Sequence, residues 1–461
     1  MSRRMGKTKP EHEHEPASEH QKAAKDTPLY PVLSVIFSAL LLDLLAFTII
    51  LPLFPRILDY YDRVDGSRPE SVFYQAKAAV RTFRQLIGGT GSELDIVLFG
   101  GFLGSLFSFL QFISSPWIGK WSDVYGRKPV LLLSMIGNGL SMILWTVSSS
   151  FPLFVLSRIV GGLTEGNVQM SIAMISDITT PQTRSRGLAL VGIAFALGFT
   201  IGPPLGAYFA SINLANILPV LARIIPLSEY ASPAVFALVL IVIETIYMYI
   251  ALPETLEYGR TRQRTTSNPS PSASLHLPAS MDTLSMIHFA YLLLFSGMEF
   301  TLTFLVHDRF SFTHAQQGAM LGFTGILSAL IQGGYVRRLA PGKEPMLVKS
   351  GMLACCIAVI LLSIAHSTRV LYLAAVGFAF ASATVINSLT SLASLACGKA
   401  ARDDGEGMGS SLGKFRSYGQ LGRSLGPIGA CSMYWMLGST RCYVTGSCLM
   451  AGLLAATINV V

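Results

Sequence analysis

The 461-residue chain is 51% hydrophobic and only 13% charged, with a mean hydropathy of +0.53. That balance excludes an ordinary soluble globular domain and places most of the chain in a bilayer. The net charge of +8 lies largely in loops between apolar segments, so it marks membrane topology and not a nucleic-acid surface.

Residues 1–28, with the run "EHEHEPASEHQ", read as a solvated, disordered tail rather than a metal site. Apolar runs of spanning length follow at 31–53, 97–117, 130–148, 152–175, 187–210 and 232–252, then at 285–306, 315–335, 346–365, 368–396, 407–437 and 442–461. The first is too long and too far along the chain for a cleavable signal. Residues 54–96 form one long outer loop of mixed charge. Between the sixth and seventh spans, "EYGRTRQRTTSNPSPSASLHLP" reads as a flexible linker. The expected architecture is an all-α membrane protein of twelve transmembrane helices in two six-helix bundles, 29–252 and 285–461, joined by a cytoplasmic linker at 253–284. On one side the loops hold fourteen Lys and Arg, against four (Arg223, Arg309, Arg369, Arg441) in the short loops opposite. Both termini are therefore expected in the cytoplasm. The chain carries no convincing retention or lysosomal motif, which leaves the plasma membrane and internal membranes both open. Six cysteines lie in or beside the spans without zinc or disulfide spacing.

Two segments carry a pattern. "LGFTIGPPLG" in the fifth span and "YGQLGRSLGPIGA" in the eleventh share G-x-x-x-G-P, at Gly198, Gly202, Pro203 and at Gly422, Gly426, Pro427, 224 residues apart. Small residues at i, i+4 let helix backbones approach closely, and repetition in both halves points to a transporter of two related bundles. The loop "GKWSDVYGRKP", 119–129, offers Gly119 and Gly126 for a tight reversal. Asp123 and Arg127 pair at i, i+4 if helical, and Lys128 adds positive charge.

Ionisable residues inside the spans are Asp43, Glu165, Glu244 and Glu299, with Arg158, Arg416 and Arg423. Each costs roughly 2.5–3.5 kcal/mol to insert at mid-bilayer, so each is a site candidate. Asp43 is expected in a central cavity, compensated by Arg158, with a part in coupling or substrate positioning. Arg158 and Glu165, seven apart, should share a helix face, as should Arg416 and Arg423. Two cations on one face need acids from neighbouring helices or an anion in the cavity, and guanidinium forks suit a carboxylate or sulfonate. Glu299 reads as a protonation switch, Glu244 as a structural partner between helices. The aromatics Phe289, Tyr291, Phe295, Phe300 and Phe304 of the seventh span read as packing. No phosphate loop and no His/Cys cluster within the spans occurs, so neither an enzyme nor a metal or other cofactor is expected.

The loop 119–129 resembles the signature of the major facilitator superfamily at Gly119, Asp123, Gly126, Arg127 and Lys128, with Trp121 where leucine is usual. The fifth span resembles the superfamily's antiporter motif through Gly198, Gly202, Pro203 and Gly206, ending on Ala207. "LPETL", 252–256, looks like the segment closing the first half of drug:proton antiporters. "LLDLLAFTIILPLFP" and "RIVGGLTEGNVQMSIAMISDITTPQTRSRG" are similar to helices of bacterial tetracycline antiporters. "FSGMEFTLTFLVHDRF" and "FRSYGQLGRSLGP" are similar to a vertebrate tetracycline-transporter-like group that is assigned organic-anion export. The resemblance implies gating at loop 119–129 and at a moving bundle interface on the antiporter-like motif. It places Ser141 where the tetracycline antiporters carry an aspartate, so it supports their scaffold rather than their substrate.

The expected function is secondary active transport of small-molecule organic anions through the lipid bilayer by alternating access, as an exporter or antiporter, with a proton or counter-anion as coupled ion. Two alternatives stand beside it. One is a proton-coupled exporter of cationic or zwitterionic drugs, in which Asp43, Glu165 and Glu299 bind substrate. The other is a non-transporting receptor with a transporter fold.

Overall fold

The structure, a computed structural model, describes residues 29–461 apart from 89–94, 218, 220–226, 229, 266–278 and 404–406. The expected tail at 1–28, Arg223 and the middle of the linker lie outside the described residues, as do the side chains of Arg262, Arg264, Lys399 and Arg402.

A chain in hydrocarbon must satisfy its own backbone groups, and the apolar runs do so as helices. The first half contains α1 (Leu29–Thr48), α2 (Phe54–Asp65), α3 (Val72–Leu86), α4 (Asp95–Tyr125), α5 (Arg127–Thr146), α6 (Phe151–Thr164), α7 (Asn167–Ile178), α8 (Arg184–Ala210), the short α9 (Leu214–Ile217) and α10 (Ala231–Ala251). After α11 (Leu256–Thr265) come α12 (Met281–Phe310), α13 (His314–Gly334), α14 (Glu344–Ser363), α15 (Thr368–Asp403), α16 (Met408–Leu437) and α17 (Ser439–Val460). Among the described residues there is no strand. Among the described residues, ten helices are long and apolar enough to cross a bilayer. The other two expected spans are present in different form. The fourth is split into α6 and α7, and the eleventh is the 30-residue α16, made polar by Lys414, Arg416 and Arg423.

Three expectations about loops need correction. The outer loop 54–96 is largely helical: a 3₁₀ turn at Leu51–Leu53 leads from α1 into α2. Ser71 then caps α3 by accepting from the Tyr74 N–H at 3.0 Å. Lys77 ties α3 to α2 through Asp62 at 2.6 Å, and the Tyr61 hydroxyl donates to the Ser148 carbonyl at 2.8 Å, pinning the cap onto the bundle. The linker is not flexible throughout, because α11 docks: Arg260 donates to the Asp123 carbonyl at 2.8 Å and Gly259 abuts the Asp177 carboxylate. Finally, residues 281–284 already belong to α12.

The repeated G-x-x-x-G-P pattern has one meaning in both halves. Gly198 and Gly202 of α8 lie against Leu44 and Thr48 of α1 and Gly206 against Ile49 just beyond it, and the Thr48 hydroxyl donates to the Gly198 carbonyl at 2.9 Å. Gly422 and Gly426 of α16 lie in the same way against Phe289, Leu293 and Ser296 of α12. The glycines of the antiporter-like motif seat the fifth span on the first within one half, while the same stretch of α8 also meets the other half: Ala196 and Thr200 lie against Gly325 of α13, and Gly192 against Gln332 and Asn387. Tyr291, Phe295 and Phe304 of α12 are buried packing residues, as expected.

Candidate functional site

Loop 119–129 builds an ionic lock. Gly126, at φ 104°, makes the reversal between α4 and α5, a backbone conformation that favours glycine. Gly119 does not take part in the turn. It lies inside α4, where a Cβ would strike the Gly409 carbonyl, so its role is to let α4 and α16 cross in near contact. Arg127 is 1% exposed. Its Nε donates to Asp177 at 3.0 Å, and its Nη1 to Asp123 at 2.8 Å and to Ser122 at 2.6 Å. The Asp123–Arg127 pair thus forms, but across the turn and not along one helix. Asp123 also accepts from the Gly409 and Ser410 N–H groups at 2.9 and 2.7 Å, a cap supplied from the other half to the start of α16. Glu254 does the same for α5, accepting from the Arg127 and Lys128 N–H groups at 2.9 and 3.0 Å. Lys128 bonds the Tyr249 carbonyl at 2.8 Å.

A second link closes this end. Arg184 donates to the Ser394 carbonyl at 3.0 Å, and the Ser394 hydroxyl to Ser176 at 2.6 Å. Sequence reasoning missed Asp177, Glu254, Arg184 and Arg260. The signal was there: Asp177 and Glu254 stand at helix ends inside "ISDITT" and "LPETL", where a carboxylate meets free N–H groups or a loop cation.

Further into the bundle, the predicted charges are only partly brought together. Asp43, 3% exposed, accepts from the Asn167 amide. Glu165 accepts from the Asn138 amide at 2.9 Å. Arg158 is not the partner of Asp43. It lies against the rings of Trp145 (5.4 Å) and Phe154 (5.8 Å) and donates weakly to Ser157 and to Ser141 at 3.3 and 3.4 Å. The seven-residue argument fails because Glu165 is the residue at which α6 stops, with ψ at 95°, before α7 starts at Asn167. Glu244 is 1% exposed and forms no ion pair among the described residues, so it is not the interhelical partner expected. It does lie within electrostatic reach of Asp43 and Glu165.

Arg416 and Arg423 share one face of α16, as the spacing required, and both line a cavity of about 90 Å³ between the halves. Arg416 donates to Gln111 at 3.2 Å, leaves Nε without a partner among the described residues, and interacts electrostatically with Glu165 and Asp43 across the gap. Neither arginine has an ion pair within 4 Å among the described residues. Glu299 is exposed, lies in the field of Arg423, and falls seven residues from Leu292, which lines the cavity. The rest of the wall is mostly apolar, with Gln169, His288, Asn387, Thr390 and Gln420 as polar points. His288 and Gln169 were not singled out in the sequence: a lone His and a lone Gln in apolar runs give no spacing to read.

Residues 36–427 match the Major Facilitator Superfamily. The chain is 37% identical over 440 residues to mouse major facilitator superfamily domain-containing protein 10, covering 91% of this chain and 90% of that one. It is 28% identical over 251 residues to the class B tetracycline resistance protein of Escherichia coli, covering 53% and 58%. A crystal structure of the human organic anion transporter MFSD10 (TETRAN) superposes with a TM-score of 0.80 at 35% identity, covering 94% of this chain and all of that one. The family match over most of the chain, the identity across nine-tenths of both sequences and the shared helical fold lead to one conclusion: the chain belongs to the major facilitator superfamily and is a multi-pass membrane transporter.

Proposed function

We propose that the chain moves organic anions by alternating access, as an exporter or antiporter. The observation that carries this reading is the pair Arg416 and Arg423 on the wall of a largely apolar cavity, neither held in an ion pair among the described residues. Guanidinium forks in such a setting suit a carboxylate or sulfonate with an apolar body. The similarity to the human organic anion transporter supports the same reading. Residues 29–252 and 285–461 act as the two rocking bundles, with 253–284 between them. The lock at Gly119, Asp123, Gly126, Arg127 and Lys128 faces the cytoplasm, as do both termini, in a plasma or internal membrane. Gly198, Gly202, Pro203 and Gly206 keep α8 rigid on α1, so that the first half moves as one body. Asp43, Glu165 and Glu299 serve coupling, by a proton or against a counter-anion, and Arg158 holds α6 in place.

The test is flux in proteoliposomes for a panel of labelled organic anions and cations, with and without a pH gradient. Arg416→Gln and Arg423→Gln should each raise the KM for a transported anion about ten- to a hundred-fold, the worth of one hydrogen bond to a charged group. Lys at either place should recover part. A proton-coupled cation exporter has one observation in its favour, the interaction of Arg416 with Glu165 and Asp43. Unchanged anion KM in both Gln variants, with cation flux lost in Asp43→Asn, would replace the anion reading with that one.

A further inference from the structure

We propose that Gln169, assisted by His288, reads a hydrogen-bond donor on the substrate, so that favoured substrates are apolar-bodied organic anions that also carry an N–H or O–H group. The proposal rests on the anion reading above and deepens it. Gln169 belongs to α7, is 1% exposed and lines the same cavity as the arginines. Its Nε2 donates to the Ser115 carbonyl at 2.9 Å, which decides which end of the amide is oxygen. The remaining Oε1 has no partner among the described residues. Buried carbonyl oxygens are seldom left so, and Gln169 lines the cavity, so a donor on a bound substrate would complete it. His288 of α12 is 5% exposed, and its ring stacks on Phe415 at 4.3 Å and 19°. Gly419 makes room for the edge of the ring, since a Cβ there would strike Nε2. Its Nδ1 also lacks a partner among the described residues.

Arginine only donates. An anion with a bare hydrocarbon body would satisfy Arg416 and Arg423 and leave the Gln169 oxygen unmet. An anion with a donor meets both. Gln169 stands on the first half and the arginines on the second, so such a substrate also bridges the two bodies that must close around it.

A matched pair tests this in proteoliposomes with the full chain: indole-3-acetate and 1-methylindole-3-acetate, the same anion and body with the donor removed. Wild type should show a KM about tenfold lower for the N–H compound, because a site built to pair a donor rejects the analogue lacking it. Gln169→Met should bring that ratio toward one, and His288→Phe, which keeps the stack, should reduce it. Arg416→Gln should raise both KM values and leave the ratio in place. Equal KM values in wild type would overturn the donor proposal alone, and this comparison needs no variant to fold. If no anion of the panel moves, these two included, the anion reading fails and takes this proposal with it.

Discussion

Arg127 and Arg416 both sit inside the helical bundle, yet their surroundings differ in one respect. Around Arg127 two carboxylates and a hydroxyl accept from its Nε and Nη1, and the same Asp123 caps α16. Around Arg416 atoms are left over among the described residues: its own Nε, the Gln169 oxygen and the His288 Nδ1. A region whose polar groups are saturated by the protein is finished in this conformation and holds it. A region on a cavity wall that leaves them unsaturated is where the proposed substrate would complete them. The difference separates a lock, whose loss should alter stability and state populations, from a site, whose loss should alter affinity.

The largest effect should come from the lock. Arg127→Met strands Asp177, whose side chain is 2% exposed, without its partner. Breaking a buried pair from one side costs about 3–5 kcal/mol. The thermal unfolding midpoint in mild detergent should fall sharply, and Asp177→Asn in the same chain should restore much of it. A midpoint equal to wild type would mean the pair is not structural.

Asp123→Ala should cost less, about 0.5–2 kcal/mol for a lost cap, and the cost falls only on the state in which α4 meets α16. Labelling of a cysteine placed at Ser394, which is 0% exposed beneath the second link, should then quicken roughly 2- to 30-fold. An unchanged rate would remove the lock from the gating cycle and leave it a topology device.

The smallest effect is an absence of coupling. Asp43 and Arg158 share no contact, since one bonds Asn167 and the other rests on Trp145 and two serines. A double-mutant cycle with Asp43→Asn and Arg158→Gln, read as thermal stability, should show an interaction below about 0.5 kcal/mol. A larger value would restore the Arg158–Asp43 pair and draw Arg158 into the site.

Much of the fold was legible because bilayer physics is written in composition. Twelve apolar runs, the charged loops between them and the paired G-x-x-x-G-P segments follow from the need to bury backbone polar groups and to let helices approach. The candidate site was legible in part: the scarcity of ionisable residues named Asp43, Glu165, Arg416 and Arg423, and the seven-residue spacing put the two arginines together. It could not name their partners. A helix's rotation about its axis is set by its neighbours, so Arg158 turned to aromatic rings and serines while Asp43 found an amide.

The sequence by itself determined the class of molecule, the order of its spans, the signature loop and the sign of charge on α16, all properties of residue type and spacing. Only the tertiary structure decided that the fourth span breaks at Glu165, that Gly119 is a crossing point and not a turn, and that Gly202 packs on Thr48 of its own half. It also decided which polar atoms are paired and which, among the described residues, are not. Each of these depends on groups 27 to 290 residues apart meeting in space, as Asn138 meets Glu165 and Gly119 meets Gly409. Local sequence carries no record of a partner at that distance.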